Sequence, residues 1–188
     1  QSGATLTVQD TSAGIDTTLA IEGSIDNHGS IILTGSTDDL VTLDAGNDDI
    51  TNFVGSTLTL SKTGGTSGQI LLVGVLVNHG QLNVNLVNNQ VATLDLEDDG
   101  SNGSSGQITV TAGVLDITGQ NASGVTFSNI SAMSVAAGAE IKISGGLTFV
   151  HGAGGTYTGA GKLFFDNNTT LHLTSNLTLG SSFNMAFG

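Results

Sequence analysis

The chain has 188 residues, with no Pro, Cys or Trp, three Lys/Arg against sixteen Asp/Glu, and a formal net charge of −13. That balance excludes nucleic acid as a partner, because no basic patch exists to neutralise phosphate, and it disfavours an anionic membrane surface. A hydrophobic content of 38% in short Val/Ile/Leu/Thr runs is too high for a disordered chain, and no apolar run approaches the ~18 residues that would span a bilayer, so membrane insertion is not expected.

The chain starts at Gln1, without Met or an apolar leader, which fits a processed or excised segment. From there the apolar residues alternate with period two. Ala4-Thr-Leu-Thr-Val8, Thr18-Leu-Ala-Ile21, Ser30-Ile-Ile-Leu33 and Thr57-Leu-Thr-Leu60 come first, then Gln81-Leu-Asn-Val-Asn-Leu86 and Ala92-Thr-Leu-Asp-Leu96. Further on lie Gln107-Ile-Thr-Val110, Val114-Leu-Asp-Ile117, Glu140-Ile-Lys-Ile143, Lys162-Leu-Phe-Phe165 and Thr170-Leu-His-Leu173. Such alternation buries one face of a short strand. Gly, Asn, Asp and Ser between the runs make tight turns. The best helical candidate, Ala132–Ala137, is too short and β-branched to stand alone, so the chain is read as all-β.

An internal repeat narrows the architecture. Asn27-His28-Gly29 returns as Asn78-His79-Gly80, and Thr42-Leu43-Asp44 as Thr93-Leu94-Asp95, both 51 residues on. Thr-x-Thr marks Thr5, Thr57 and Thr109, in steps of 52. A fixed period favours a right-handed parallel β-helix over a β-sandwich, whose sequence has no reason to repeat at that distance. Each 51–52-residue unit is expected to hold two rungs of roughly 25 residues. One solenoid domain spans 1–188, with regular repeats over 1–111 and a Gly- and Phe-richer, degenerate part over 112–188.

Candidate sites follow from the repeat and the acid. Asn27, His28, Gly29, Asn78, His79 and Gly80 are read as corner and ladder residues, since neutral His and Asn both donate and accept hydrogen bonds. Two rungs separate His28 from His79, too far for one metal. Asp38, Asp39, Asp44, Asp48 and Asp49 form the densest acidic stretch, and Leu43–Ile50 resembles one turn of a calcium-binding β-roll; calcium, which takes six to eight oxygens, is the candidate cofactor. No other cofactor is expected. Catalysis is not expected either: no nucleophile elbow, zinc helix or P-loop pattern occurs. Phe183 and Phe187 are candidates for end-to-end association, because a β-helix exposes strand edges at both ends.

Gly74-Val-Leu-Val-Asn-His-Gly-Gln-Leu-Asn-Val-Asn85 and Gly159-Ala-Gly-Lys-Leu-Phe-Phe-Asp-Asn-Asn-Thr-Thr-Leu-His-Leu-Thr174 resemble the rungs of bacterial secreted β-helical passengers, of the autotransporter and filamentous-haemagglutinin types. The resemblance implies a non-enzymatic extracellular or cell-surface adhesin, stalk or fibre subunit, whose partners are its own copies or a surface glycan. Two other classes stay open: a glycan-binding or glycan-cleaving β-helix of the tail-spike kind, and a calcium-responsive surface module.

Overall fold

The computed structural model describes residues 3–87, 89–119, 124–166 and 168–188. The strands fall into successive coils. The first coil is β1 (Thr5–Gln9), β2 (Thr17–Ala20) and β3 (Ile25–Asn27); the second is β4 (Ser30–Gly35) and β5 (Val41–Asn52). Then come β6 (Thr57–Lys62) with β7 (Ile70–Asn78), and β8 (Gln81–Leu86) with β9 (Val91–Asp95) and β10 (Gly100–Asn102). The fifth coil is β11 (Gln107–Ala112), β12 (Val114–Thr118) and β13 (Thr126–Asn129), and the sixth is β14 (Ala132–Val135), β15 (Glu140–Ser144) and β16 (Thr148–His151). The seventh is β17 (Thr156–Gly159), β18 (Lys162–Phe165) and β19 (Thr170–Leu173), after which Leu179 bridges to Tyr157 and β20 (Asn184–Phe187) closes the stack.

Every pairing among these strands is parallel, and each strand pairs with its equivalent one coil away. That excludes an antiparallel sandwich. The chain is a β-solenoid of about seven turns. One sheet stacks β1-β4-β6-β8-β11-β14-β17. The other carries two lanes side by side, bridged where β5 and β7 run through both.

Register converts the sequence repeat into coils of about 25 residues, two per repeat: Thr42 pairs with Leu71, and Leu71 with Thr93. The Thr-x-Thr marker is less faithful. Thr57 pairs with Gln81, and Gln81 with Gln107, so Thr109 lies two residues out of the column that Thr5 and Thr57 share. The expected third copy is thus a coincidence of spacing. Past residue 111 the coils continue in unbroken register, through β12, β15, β18 and β20.

Alternation places one continuous apolar column set inside. Leu33, Leu43, Ile50, Leu58, Leu60, Ile70, Leu72 and Leu76 are fully buried, each worth roughly 1.5–3 kcal/mol of transfer. In later coils the filling becomes aromatic. Phe127, Phe149, Phe165 and Phe187 form a chain of ring contacts at 6.1, 5.7 and 5.1 Å. Gly100 admits the first of them: a Cβ there would lie 3.2 Å from the Phe127 ring and 3.0 Å from Leu96.

Candidate functional site: the amide ladder and the two ends of the coil

At the corner between the second lane and the seven-stranded sheet, an Asn recurs on five consecutive coils. Asn27 Nδ2 donates to Asn52 Oδ1 at 2.8 Å, Asn52 to Asn78 at 2.7 Å, Asn78 to Asn102 at 2.8 Å and Asn102 to Asn129 at 2.8 Å. The other Nδ2 proton of each of the first four reaches a backbone carbonyl: Thr57, Gln81, Gln107 and Ala132. These side chains are at most 5% exposed, where an unsatisfied amide costs about 1–3 kcal/mol. All the donors point toward the C-terminal end.

The ladder ends in a different chemistry. Asn129 Nδ2 donates to the Tyr157 hydroxyl at 3.2 Å, and that hydroxyl lies 3.1 Å from His151 Nδ1. His151 Nε2 sits 3.1 Å from the Asn176 carbonyl, which can only accept. In the neutral ring the proton is therefore on Nε2, Nδ1 accepts, and Tyr157 donates to it. Burial pushes the Tyr157 phenol up to about 12.

Asn27 and Asn78 thus belong to one ladder, but Asn52 lies between them, and Asn102 and Asn129 continue it beyond Asn78. The spacing of Asn27, Asn52, Asn78, Asn102 and Asn129 carried that signal, hidden because the neighbours change: Phe53 and Gly103 stand where the repeat has His28 and His79. The His28 and Phe53 rings stack at 4.1 Å and 16°. His79 lies over Gly103, whose Cβ would come within 2.5 Å of its ring. Gly29 and Gly80 share a column with Ser56, Gly106, Ser131 and Gly155, in which no two Ser adjoin. A Cβ on Gly80 would lie 2.5 Å from the carbonyl oxygens of Phe53 and Ser56.

The five acidic residues divide between two turns of the second coil. Asp38 accepts the Thr66 and Ser67 amides, which hold its carboxyl below the usual carboxylate range. Asp39 accepts Gly14 N–H, and Asp44 accepts Gly46 N–H. Asp48 and Asp49 are exposed. Among the described residues no three His, Cys, Asp or Glu come together as a metal-binding group. Beside Asp38 and Asp39 lies Lys62, which is 1% exposed. Its stem passes the space left by Gly35, and Nζ donates to the Asp39 carbonyl at 2.8 Å. Asp10 completes this corner, its carboxyl lowered by the Thr37 hydroxyl. Burial pulls Lys62 down. Alternation through Leu58 and Leu60 places Lys62 on the inward face, a signal that sequence reasoning passed over.

The two ends are unlike. In the first coil Leu6, Leu19, Ile21 and Ile25 point inward yet are only partly covered, although their stacking partners Ile31, Leu43 and Ile50 are at most 3% exposed. A hollow of about 260 Å³ opens there beside Leu6, Ile25, Asn27 and His28. At the other end Leu173, Leu179 and Phe187 are 47%, 38% and 65% exposed. Leu173 and Phe187 follow His151 and Phe165 in register, so they too point along inward columns that nothing described continues. Phe183 is different: it is 9% exposed and packs on Tyr157 at 5.8 Å. Of the two candidate assembly residues, only Phe187 is open to a partner.

The fold and its polar ladder define a parallel β-solenoid with an amide spine and apolar end faces. No family model, curated protein or solved structure matches the chain.

Proposed function

We propose that this chain is a non-enzymatic structural element of an extracellular or cell-surface protein, a rod that lengthens by association at its ends. One observation carries the reading: inward columns of Leu, Ile and Phe reach both end faces, only partly covered in the first coil and exposed in the last. Open strand edges bordered by apolar side chains are templates for a further strand. The resemblance of Gly74–Asn85 and Gly159–Thr174 to secreted passenger rungs supports the extracellular placement and an adhesive or stalk role. The test is electron microscopy together with sedimentation over a concentration series. Rods that lengthen in multiples of roughly 38 Å, eight strand levels at about 4.8 Å, are expected; single short rods at every concentration would overturn the reading.

A glycan-binding rod is the alternative of a different class, and hits on a glycan array would favour it. A calcium-responsive module is the third, which calorimetry with calcium and with chelator separates from the others.

A further inference from the structure

We infer that the corner between the seven-stranded sheet and the first lane of the other sheet (β9, β12, β15 and β18) binds an uncharged oligosaccharide lying along the rod. Turn length shapes this corner. The fourth coil, the sixth coil and the closing level at β20 pass it through turns 87–90, 136–139 and 180–183, each closed by a hydrogen bond from its last N–H to its first carbonyl. The fifth coil passes it through Gly113 alone, and the seventh through Ala160 and Gly161. Both short turns need glycine. A Cβ on Gly113 would lie 2.6 Å from Leu86 Cβ, and one on Gly161 2.4 Å from the Ala136 carbonyl oxygen.

Short turns set between projecting ones leave two hollows of about 450 Å³ each, one over the fifth coil and one over the seventh. They share Asn89 and Gly138, the positive-φ residues of two projecting turns. Their repeat is two strand spacings, about 10 Å. Each has the size of a small-molecule site, and their succession along one axis suits a chain of repeating units better than a single compact ligand.

The lining selects against charge. Among the described residues that line the hollows, Glu140 and Lys162 alone are charged, and they neutralise each other at 2.6 Å. The adjoining outer face of the seven-stranded sheet adds none: its strands hold one charged residue, Lys62, which is buried on the inward side. An acidic or sulfated ligand finds no unpaired cation here, and the net charge of −13 repels it. What the hollows offer is hydrogen bonding of both senses. Asn89 and Asn184 are exposed, and each amide donates and accepts; Glu140 accepts and Lys162 donates. A hydroxyl answers both senses, and Val87, Val114 and Ala160 supply apolar surface for the C–H face of a sugar ring. A peptide is less well served, because strand addition needs a free edge. The strands at this corner, β11, β12, β14 and β15, are each paired on both sides.

The site belongs to the adhesive side of the function proposed above and is independent of end association. Its test is calorimetry on the whole chain with neutral oligosaccharides of glucose, mannose, galactose and N-acetylglucosamine, alongside sulfated and sialylated ones. A neutral member should bind and the acidic ones should not. Ala160→Trp, which fills the hollow over the seventh coil, should weaken binding at least about tenfold. Glu140→Gln with Lys162→Gln should weaken it about tenfold, the worth of one hydrogen bond to a charged group. Thr7→Trp, an exposed change on the outer sheet of the first coil, should leave affinity unchanged. Thermal melts show which variants fold, and if Ala160→Trp does not, the Gln pair decides. Binding that survives the corner variants, preference for acidic members, or no binding by any neutral member would overturn the site. Rods that lengthen without binding any neutral member overturn this site and leave end association standing; binding without lengthening does the reverse.

Discussion

Asn78 shows how much of the stability rests on side-chain amides inside a largely apolar core. It accepts from Asn52 and donates to both Asn102 and the Gln107 carbonyl. Asn78→Asp retains the shape but replaces the donor with an acceptor facing two acceptors. A loss of about 3 kcal/mol is expected, given the cost of unsatisfied buried polar groups, read as a lowered denaturant midpoint. The same change at Asn27, which has a ladder partner on one side only, should cost less. Tyr157 is the only Tyr, so its ionisation can be followed by absorbance without assignment. Its folded value of about 12, against 10.0 when free, means the unfolded chain loses the proton first. The Tyr157 contribution should be constant below pH 10 and be lost between pH 10 and 12, by at most about 2.7 kcal/mol, since each pH unit between the two values is worth about 1.36 kcal/mol. Tyr157→Phe should remove that alkaline slope, and a native phenol titrating near 10 would contradict the assignment. At this scale the sequence was only partly legible. Period-two alternation points Asn inward as readily as Leu, but the ladder needs the 25-residue spacing, which a tripeptide search at 51 skips over.

Corners, more than strands, distinguish one coil from the next. In the Gly29–Ser56–Gly80–Gly106–Ser131–Gly155 column each Ser is flanked only by Gly, so the coils close to strand spacing at the turn into the seven-stranded sheet. Gly80→Ala sets a methyl against the backbone oxygens of Phe53 and Ser56. The expected outcome is a thermal midpoint lowered by an amount equivalent to about 2–4 kcal/mol, the range of overpacking and backbone strain. The Lys62 corner makes the matching prediction for acid. Asp10 and Asp38 titrate below free Asp because Thr37, Thr66 and Ser67 donate to them. Their contribution is complete above the unfolded carboxylate value and is lost as pH falls through their lowered values. Thermal melts from pH 6 to 2 should therefore show a decline below about pH 4, shallower in the Asp10→Asn/Asp38→Asn double variant. Strand existence was readable from alternation. The corner chemistry was not, because it depends on which residue of the neighbouring coil lies about 4.8 Å away, and that is known only once the register is.

For the whole molecule, the charge pattern and the stacking geometry act on different directions. Residues 1–100 hold thirteen of the sixteen acids. In the later coils both Lys are already paired, Lys142 with Asp116 and Asp166 and Lys162 with Glu140. Side-by-side approach of two rods is thus opposed along the acidic half, while residues 168–188, at the last coil, hold no Asp, Glu, Lys or Arg. Substituting Leu173, Leu179 and Phe187 together by Ser should abolish rod lengthening in sedimentation while the chain still folds, with a thermal midpoint lowered by the partial burial those side chains have in the single rod. Equal association by the triple variant would show that this end face is not the joint. The 51-residue period gave the architecture its outline, and the aromatic later coils obscured it: Phe127, Phe149 and Phe165 occupy the same inward places as Ile and Leu, so the fading of the motif was a change of filling and not of fold.

The amide spine also governs how the protein ages. Asn102 precedes Gly103, the pairing in which a backbone nitrogen most easily attacks the side-chain carbonyl and turns Asn into Asp. Here the Gly103 N–H is held by the Asn78 carbonyl at 2.8 Å, and the Asn102 amide is fixed by Asn78, Asn129 and Ala132. Folding therefore shelters the site, but a single conversion would place a carboxylate in the middle of the spine. Deamidation in this molecule should be rare and confined to Asn102, since the other ladder amides precede His, Phe or Ile, and one event there would cost the fold a whole step of the ladder.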